Sequence, residues 1–320
     1  MRLYVAPMEG VTGRVFRQVH HRHFPGADRY YMPFLSPGQE HHFTRRDLRE
    51  ILPGEDREIP VVPQLLTRRA EDFLWAAGEL AAMGYRQVDL NLGCPSGTVT
   101  AKGKGAGFLA RPEELDAFLE EVFSKAPLTV SVKTRLGMKD PEEFPRLLEI
   151  FDKYPIVELT IHPRVRTDFY KGAPRQTWFQ WALDHSGLPL CYNGDLVGAQ
   201  AVREAEAAWP AASALMVGRG IVADPSLFRR ARGGPPLGRE ELRAYLDDLY
   251  ESYAGAFQSR RNAAIRMKEL WYYLIGLFED DGKGAKGIRK ARDTGEYEAQ
   301  VERIFHTLPL RQEARPVWNE

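Results

Sequence analysis

The sequence predicts a (β/α)8 TIM barrel carrying a small C-terminal all-helical domain. Eight short β-type runs recur, each followed by helix-compatible sequence. Several of the runs are apolar on both faces, and the strand rhythm stops after Gly233-Gly234-Pro235-Pro236. Strands of a parallel sheet covered by helices need apolar residues on both faces. Eight such units over about 230 residues match the length of a closed barrel. The alternative is a doubly wound open sheet, but the even spacing favours closure.

The β-type runs are 3–7, 29–32, 60–65, 87–91, 128–133, 157–162, 188–193 and 214–218. Between them, helices are expected over 69–83, 112–124, 141–153 and 197–208, two of them opened by Pro112 and Pro141. Beyond the glycine–proline stretch, 239–257, 262–278 and 297–308 read as amphipathic helices. The expected division is a barrel over 1–232 and a helical domain over 237–320.

Of the 320 residues, 43% are hydrophobic and 28% charged, the balance of an ordinary globular protein. No apolar run is long enough for a membrane span, and strand-like sequence follows Met1 directly, so no anchor or secretory signal is expected. Two cysteines, Cys94 and Cys191, make no disulfide framework, which points to a reducing cytoplasm. Lysine plus arginine equals aspartate plus glutamate at 44 each. Any nucleic-acid surface must therefore come from local segregation of charge. A monomer is the default expectation.

Active sites of such barrels form at the C-terminal strand ends. Polar residues cluster there: Gln64, Asn91, Cys94, Lys133, Arg135, His162, Asn193, Asp195 and Arg219. Cys94 leaves its strand on Gly93-Cys94-Pro95, with Gly103-Lys104-Gly105-Ala106 downstream. A reactive cysteine sits partly exposed at an element end, a structural one in an apolar interior; the turn alone fits either. Asn193-Gly194-Asp195 and Gly218-Arg219-Gly220 fall where these barrels bind phosphate, with glycines for close backbone approach and Arg219 as a charged fork. Each triplet by itself also reads as an ordinary turn. Lys133 faces the barrel mouth or solvent, Arg135 takes a second anion or the substrate, and His162 bonds a ligand or packs. His20, His21 and His23, with His41 and His42, match no metal-ligand spacing, so no metal is expected. They read as surface or RNA-facing residues.

In combination these segments resemble the tRNA-dihydrouridine synthases, FMN-dependent enzymes that reduce uridines of the tRNA D-loop. The resemblance rests on Ala6-Pro7-Met8-Glu9-Gly10-Val11-Thr12, Asp89-Leu90-Asn91-Leu92-Gly93-Cys94-Pro95 and Gly103-Lys104-Gly105-Ala106. It continues in Ser131-Val132-Lys133-Thr134-Arg135-Leu136-Gly137, Tyr192-Asn193-Gly194-Asp195 and Met216-Val217-Gly218-Arg219-Gly220. It implies that Pro7, Met8 and Glu9 line a flavin ring and that Gln64 and Lys133 bond its polar edge. It further implies that His162, Asn193, Gly194, Asp195, Gly218 and Arg219 hold the ribityl chain and phosphate. Asn91 would contact the uracil and Cys94 would be the general acid. In the implied cycle NADPH reduces FMN, a hydride reaches C6 of a flipped-out uracil, and the thiol protonates C5.

One loop departs from the family pattern His-x-Arg-Thr-x-x-Gln-x-Tyr-x-Gly. Here, after His162 and Arg164, Val165 replaces the threonine and Asp168 the glutamine. Arg135, Arg164 and Arg166 are candidate substrate contacts. So are Lys286, Arg289 and Lys290 in the helical region, where basic residues bunch beside Glu279, Asp280 and Asp281. The same residues read without the resemblance as a solvated helix face. Tyr272 and Tyr273 read as helix packing rather than base stacking. Two rival functions fit parts of the sequence: a flavin barrel acting on a free pyrimidine, and an RNA-binding relative without flavin.

Overall fold

The computed structural model describes residues 1–52, 59–280 and 282–318; Asp281 of the acidic group lies outside them. All strand pairs are parallel. The strands are β1 (Arg2–Val5), β2 (Arg29–Tyr31), β3 (Val61–Val62), β4 (Gln64–Leu65) and β5 (Gln87–Leu92). They continue as β6 (Thr129–Arg135), β7 (Leu159–His162), β8 (Leu190–Tyr192) and β9 (Ala214–Val217). Their order around the sheet is β3-β2-β1-β9-β8-β7-β6-β5-β4. The two ends of that order, β3 and β4, are halves of one extended run interrupted at Pro63, which has no N–H to give a neighbour. The Pro63 carbonyl still accepts from the Asp89 N–H at 2.8 Å, and Met32 N–H donates to Val62 at 3.0 Å. The run therefore joins β2 on one side to β5 on the other, and the sheet closes as the expected TIM-type barrel.

The expected helices appear with shifted ends. The 141–153 helix splits into a 3-10 turn Pro141–Glu143 and an α-helix Phe144–Phe151, because Pro145 fits only in the first helical turn. The 262–278 helix starts earlier, at Arg260, where the Ser259 hydroxyl accepts from the Asn262 N–H at 3.2 Å. Helices Arg14–His23, Gln176–His185 and Lys283–Lys290 were not individually expected. The first of them corrects the histidine reading: His20 is fully buried, its Nε2 3.0 Å from the Pro225 carbonyl. Burial lowers its pKa to about 4.

The chain forms two compact units. The first comprises Met1–Glu9, Asp28–Gly194 and Glu206–Met216; the second comprises Gly10–Ala27, Asp195–Ala205 and Val217–Glu320. Tyr4, Ala6, Tyr31, Val62, Cys191, Ala214 and Met216 form a core cluster of the first unit. Near the start of β7, Glu158 is 1% exposed and accepts from Arg2 (3.0 Å), Tyr4 (3.1 Å), Ser213 (2.9 Å) and Tyr31 (3.2 Å). A buried carboxylate persists only with such partners, and this one ties residues on or beside β1, β2, β7 and β9.

In the second unit, helices Arg239–Phe257 and Arg260–Leu274 pack together, and Leu242, Tyr245, Leu249, Met267, Leu270 and Trp271 on them are buried, Tyr245 against the rings of His23 and Phe24. The Trp271 indole N–H donates to Tyr297 at 3.2 Å. Tyr272, expected to pack, is instead 54% exposed, with the Tyr273 ring centre 5.2 Å from its own. No helix among the described residues is long and apolar enough to cross a membrane.

Candidate active site at the C-terminal strand ends

Parallel pairing sets Gln64 beside Asp89, Asn91 beside Lys133, and Arg135 beside His162. Side chains alternate along a strand, so Asp89 and Asn91 share one face of β5, and Ser131, Lys133 and Arg135 share one face of β6. The result is a polar cluster at the mouth of the first unit.

Just past β5, Cys94 is half-buried on a turn held from several sides. Its N–H and that of Gly93 donate to Asn91 Oδ1 at 2.9 and 3.0 Å. The buried Arg135 donates through Nε to the Gly93 carbonyl at 2.8 Å and through a terminal nitrogen to the Val165 carbonyl at 3.2 Å. From the glycine-rich segment, Ala106 N–H donates to the Cys94 carbonyl at 3.1 Å. Gly105 sits at φ +56°, and a Cβ there would lie 2.9 Å from that carbonyl oxygen. Only glycine meets both demands, which explains the pairing of the two motifs.

Burial raises the Cys94 pKa, against the lowering pull of Arg135 and Lys133. Its sulfur therefore carries its proton at neutral pH. Lys133 is half-buried, and its side chain makes no hydrogen bond or ion pair among the described residues. Burial, helped by the Arg135 charge, lowers its pKa to about 8. Asp89, wholly buried, is pushed up to about 6 by desolvation, against hydrogen bonds from Gln64 and Ser131 that hold it down. Sequence reasoning passed over Asp89 and Ser131. The available signal was a carboxylate inside the apolar run Val88-Asp89-Leu90, in phase with Asn91.

The remaining expected residues are placed as follows. Pro7 and Met8 are half-buried beyond β1, while Glu9 is exposed and ion-paired with Arg46. His162 is 7% exposed, its Nε2 2.9 Å from a terminal nitrogen of Arg164. Arg164 is fully buried and also donates to the Gly172 carbonyl, an internal position rather than an open one. Arg166, half-exposed, donates to Thr100 at 3.1 Å and lies 5.0 Å from the Phe169 ring centre. Asn193 donates to the Met216 carbonyl at 2.8 Å, next to buried Gly194.

In the second unit, Arg219 follows Gly218 and is ion-paired with Asp195. There too, Lys286, Arg289 and Lys290 are exposed, and their side chains make no hydrogen bond or ion pair among the described residues. The nearby Asp280 carboxylate is occupied otherwise, accepting from Gly284 and Ala285 N–H at 2.8 Å each and so capping the helix.

Comparison with known proteins bears on the family and on the fold. The family model for dihydrouridine synthase (Dus) matches residues 4–253. A probable tRNA-dihydrouridine synthase 1 of Synechocystis is 30% identical over 288 residues, covering 85% of this chain and 78% of the relative. A tRNA-dihydrouridine(16) synthase of Cupriavidus necator is 28% identical, covering 96% and 97%. Among solved structures, morphinone reductase superposes with a TM-score of 0.52 at 14% identity, covering 73% of this chain and 86% of that one. The old yellow enzyme homologue of Zymomonas mobilis gives 0.52 at 13%, covering 74% and 90%. The two structures speak for the barrel alone; the family match extends over the polar cluster around Cys94, and the chain belongs to the dihydrouridine synthase family.

Proposed function

We propose that this protein reduces the C5=C6 bond of uridine in the D-loop of tRNA, in the cytoplasm, with FMN as cofactor and NADPH as reductant. The observation that carries the reading is a half-buried Cys94 held on a turn just past β5, with Lys133 on the neighbouring strand beside Asn91 and its ammonium without a partner among the described residues.

The residues present suit a flavin. An ammonium without a hydrogen-bond partner, in a partly desolvated strand end, gains from an electron-rich ring edge placed against it. Lys133 and Gln64 would hold that edge, with Pro7, Met8 and Glu9 along the ring and His162, Asn193 and Gly194 toward the ribityl chain and phosphate. The phosphate role of Asp195, Gly218 and Arg219 rests on the family resemblance alone. FMN, when bound and reduced by NADPH, supplies the hydride that uracil receives at C6.

The chain's own residues then complete the reduction. Asn91 keeps one amide N–H for a pyrimidine carbonyl. Lys133 offsets negative charge in the site. Arg135 and Asn91 fix the turn that aims the Cys94 sulfur, and the thiol gives its proton to C5. A general acid must hold its proton at the working pH and be already in place; the raised Cys94 pKa meets the first condition at some cost in acid strength, and the tethered turn meets the second.

The basic face Lys286, Arg289 and Lys290 supports an RNA substrate over a free pyrimidine, because surface cations with no partner among the described residues suit phosphate contacts. Arg166 is a further candidate contact, while Arg164 serves to hold its loop. Purified protein is expected to be yellow, with about one FMN per chain, and to bleach when NADPH is added without oxygen. FAD in its place, or no flavin after reconstitution, contradicts the cofactor assignment.

A further inference from the structure

A chain of side-chain hydrogen bonds runs through the cluster, and its direction is fixed at both ends. At one end the backbone N–H groups of Gly93 and Cys94 donate to Asn91 Oδ1. That atom must be the amide oxygen, so Asn91 Nδ2 faces Gln64 and donates to its Oε1 at 2.7 Å. Gln64 Nε2 in turn donates to Asp89 Oδ2 at 2.7 Å. From the other side Gln87 donates to the Ser131 hydroxyl at 3.0 Å, and Ser131 donates to Asp89 Oδ1 at 2.7 Å. Backbone N–H groups only donate and an ionised carboxylate only accepts, so neither amide can turn over without setting two like groups against each other. Every bond in the chain points toward Asp89.

The consequence reaches the ligand. Asn91 Oδ1 spends both lone pairs on backbone N–H groups, and one of its two amide hydrogens goes to Gln64. A single N–H remains. Asn91 therefore meets a base as a donor only, accepting nothing from it.

We propose that Asp89 is a positioning residue that sets this polarity: its buried carboxylate orients Gln64, and through Gln64 orients Asn91, so that the site receives a pyrimidine carbonyl and turns away an exocyclic amine. A uracil ring offers carbonyl acceptors where cytosine carries an amino donor. The proposal rests on the reading that Asn91 faces the substrate base.

Paired substitutions in the flavin-loaded protein test it, with thermal unfolding as the first readout. In Asn91→Asp, a carboxylate at position 91 and the carboxylate of Asp89 both face Gln64. Whichever way Gln64 turns, one oxygen–oxygen contact remains, and Tm is expected to fall. In the double variant Asp89→Asn, Asn91→Asp the chain can reverse. The new amide at position 89 donates to Gln64, Gln64 donates to position 91, and Ser131 still finds an acceptor. Most of the drop in Tm is expected to be recovered.

The same cycle built on Gln64→Met separates this from plain relief of repulsion between two carboxylates, because without Gln64 the coupling is expected to vanish. Uridine reduction is expected to stay absent in the double variant, since position 91 then has no N–H to give. Additive decreases in Tm, or coupling that persists without Gln64, overturn the proposal. A wild-type protein that takes up flavin but fails to reduce tRNA overturns the functional reading instead, and the Tm cycle still reports on the polarity of the chain.

Discussion

Cys94 and Cys191 show how position decides the chemistry of one residue type. Both thiols are raised by burial, but Cys191 is wholly enclosed inside β8, whereas Cys94 is half-buried on a turn. Alkylation needs the thiolate, and a raised pKa leaves less of it at any given pH. Iodoacetamide is therefore expected to modify Cys94 at a rate still climbing with pH where free cysteine has levelled off, and to leave Cys191 untouched in the native protein. A Cys94 rate that levels off at lower pH than free cysteine contradicts this environment. The placement of Gln64, Asn91, Cys94 and Lys133 in one cluster was legible in the sequence because each is a polar group at or near the C-terminal side of a β-type run, where barrels carry chemistry. Asp89 and Ser131 were passed over: the in-phase carboxylate of Asp89 marks it as inward-facing, but its hydrogen bonds to Gln64 and Ser131 show only once the strands are paired. His20 was misread for a related reason. The segment RVFRQVHHRH is mostly histidine and arginine and looks solvated, yet the helix turns His20 into the interior.

Strands were more legible than helices. A run apolar on both faces has few other uses in a chain of this kind, and every expected run holds a strand. Pro63 breaks the third into two, a detail that propensity alone does not fix. Helix Lys283–Lys290 escaped notice because glycine and cationic residues fill most of its sequence KGAKGIRK; apart from the Asp280 cap, its order depends on tertiary packing at Gly284 and Ile288. Its exposed face carries Lys286, Arg289 and Lys290 at helical spacing. Charge reversal at all three is expected to weaken tRNA binding and to flatten its salt dependence. The log–log slope should shrink by roughly 0.7–0.9 for each phosphate that no longer meets a cation. Flavin content and NADPH oxidation should stay as they were. Unchanged affinity at low salt would move the RNA surface elsewhere, with Arg166 and Lys171 the next residues to test.

At the scale of the molecule, the barrel and the family were legible from the order of short motifs, while the make-up of the compact units was not. Gly10–Ala27 and Asp195–Ala205 group with the C-terminal helices, and contiguous composition carries no sign of that. The first unit has its own fastening at Glu158, which gathers hydrogen bonds from Arg2, Tyr4, Tyr31 and Ser213. Replacing Glu158 with alanine leaves the Arg2 and Arg29 charges and two buried tyrosine hydroxyls without this acceptor. The two arginines are partly exposed and can turn to water, so the main cost is the buried hydroxyls left unsatisfied, about 1–3 kcal/mol for such a group; urea unfolding is expected to show a destabilisation of at least that order, and one under about 0.5 kcal/mol would mean the strands are held otherwise. The central claim, that this barrel reduces uridine in tRNA with Cys94 as the proton donor, meets its most direct test in a single turnover. Flavin-loaded protein is reduced with NADPH under anaerobic conditions and mixed with unmodified tRNA, and flavin reoxidation and dihydrouridine are followed together. Wild type is expected to form dihydrouridine in step with flavin reoxidation. Cys94→Ala is expected to keep its flavin and its reduction by NADPH while forming dihydrouridine about 10²–10⁴-fold more slowly. An unchanged rate in Cys94→Ala, or no dihydrouridine from reduced wild type, contradicts the account.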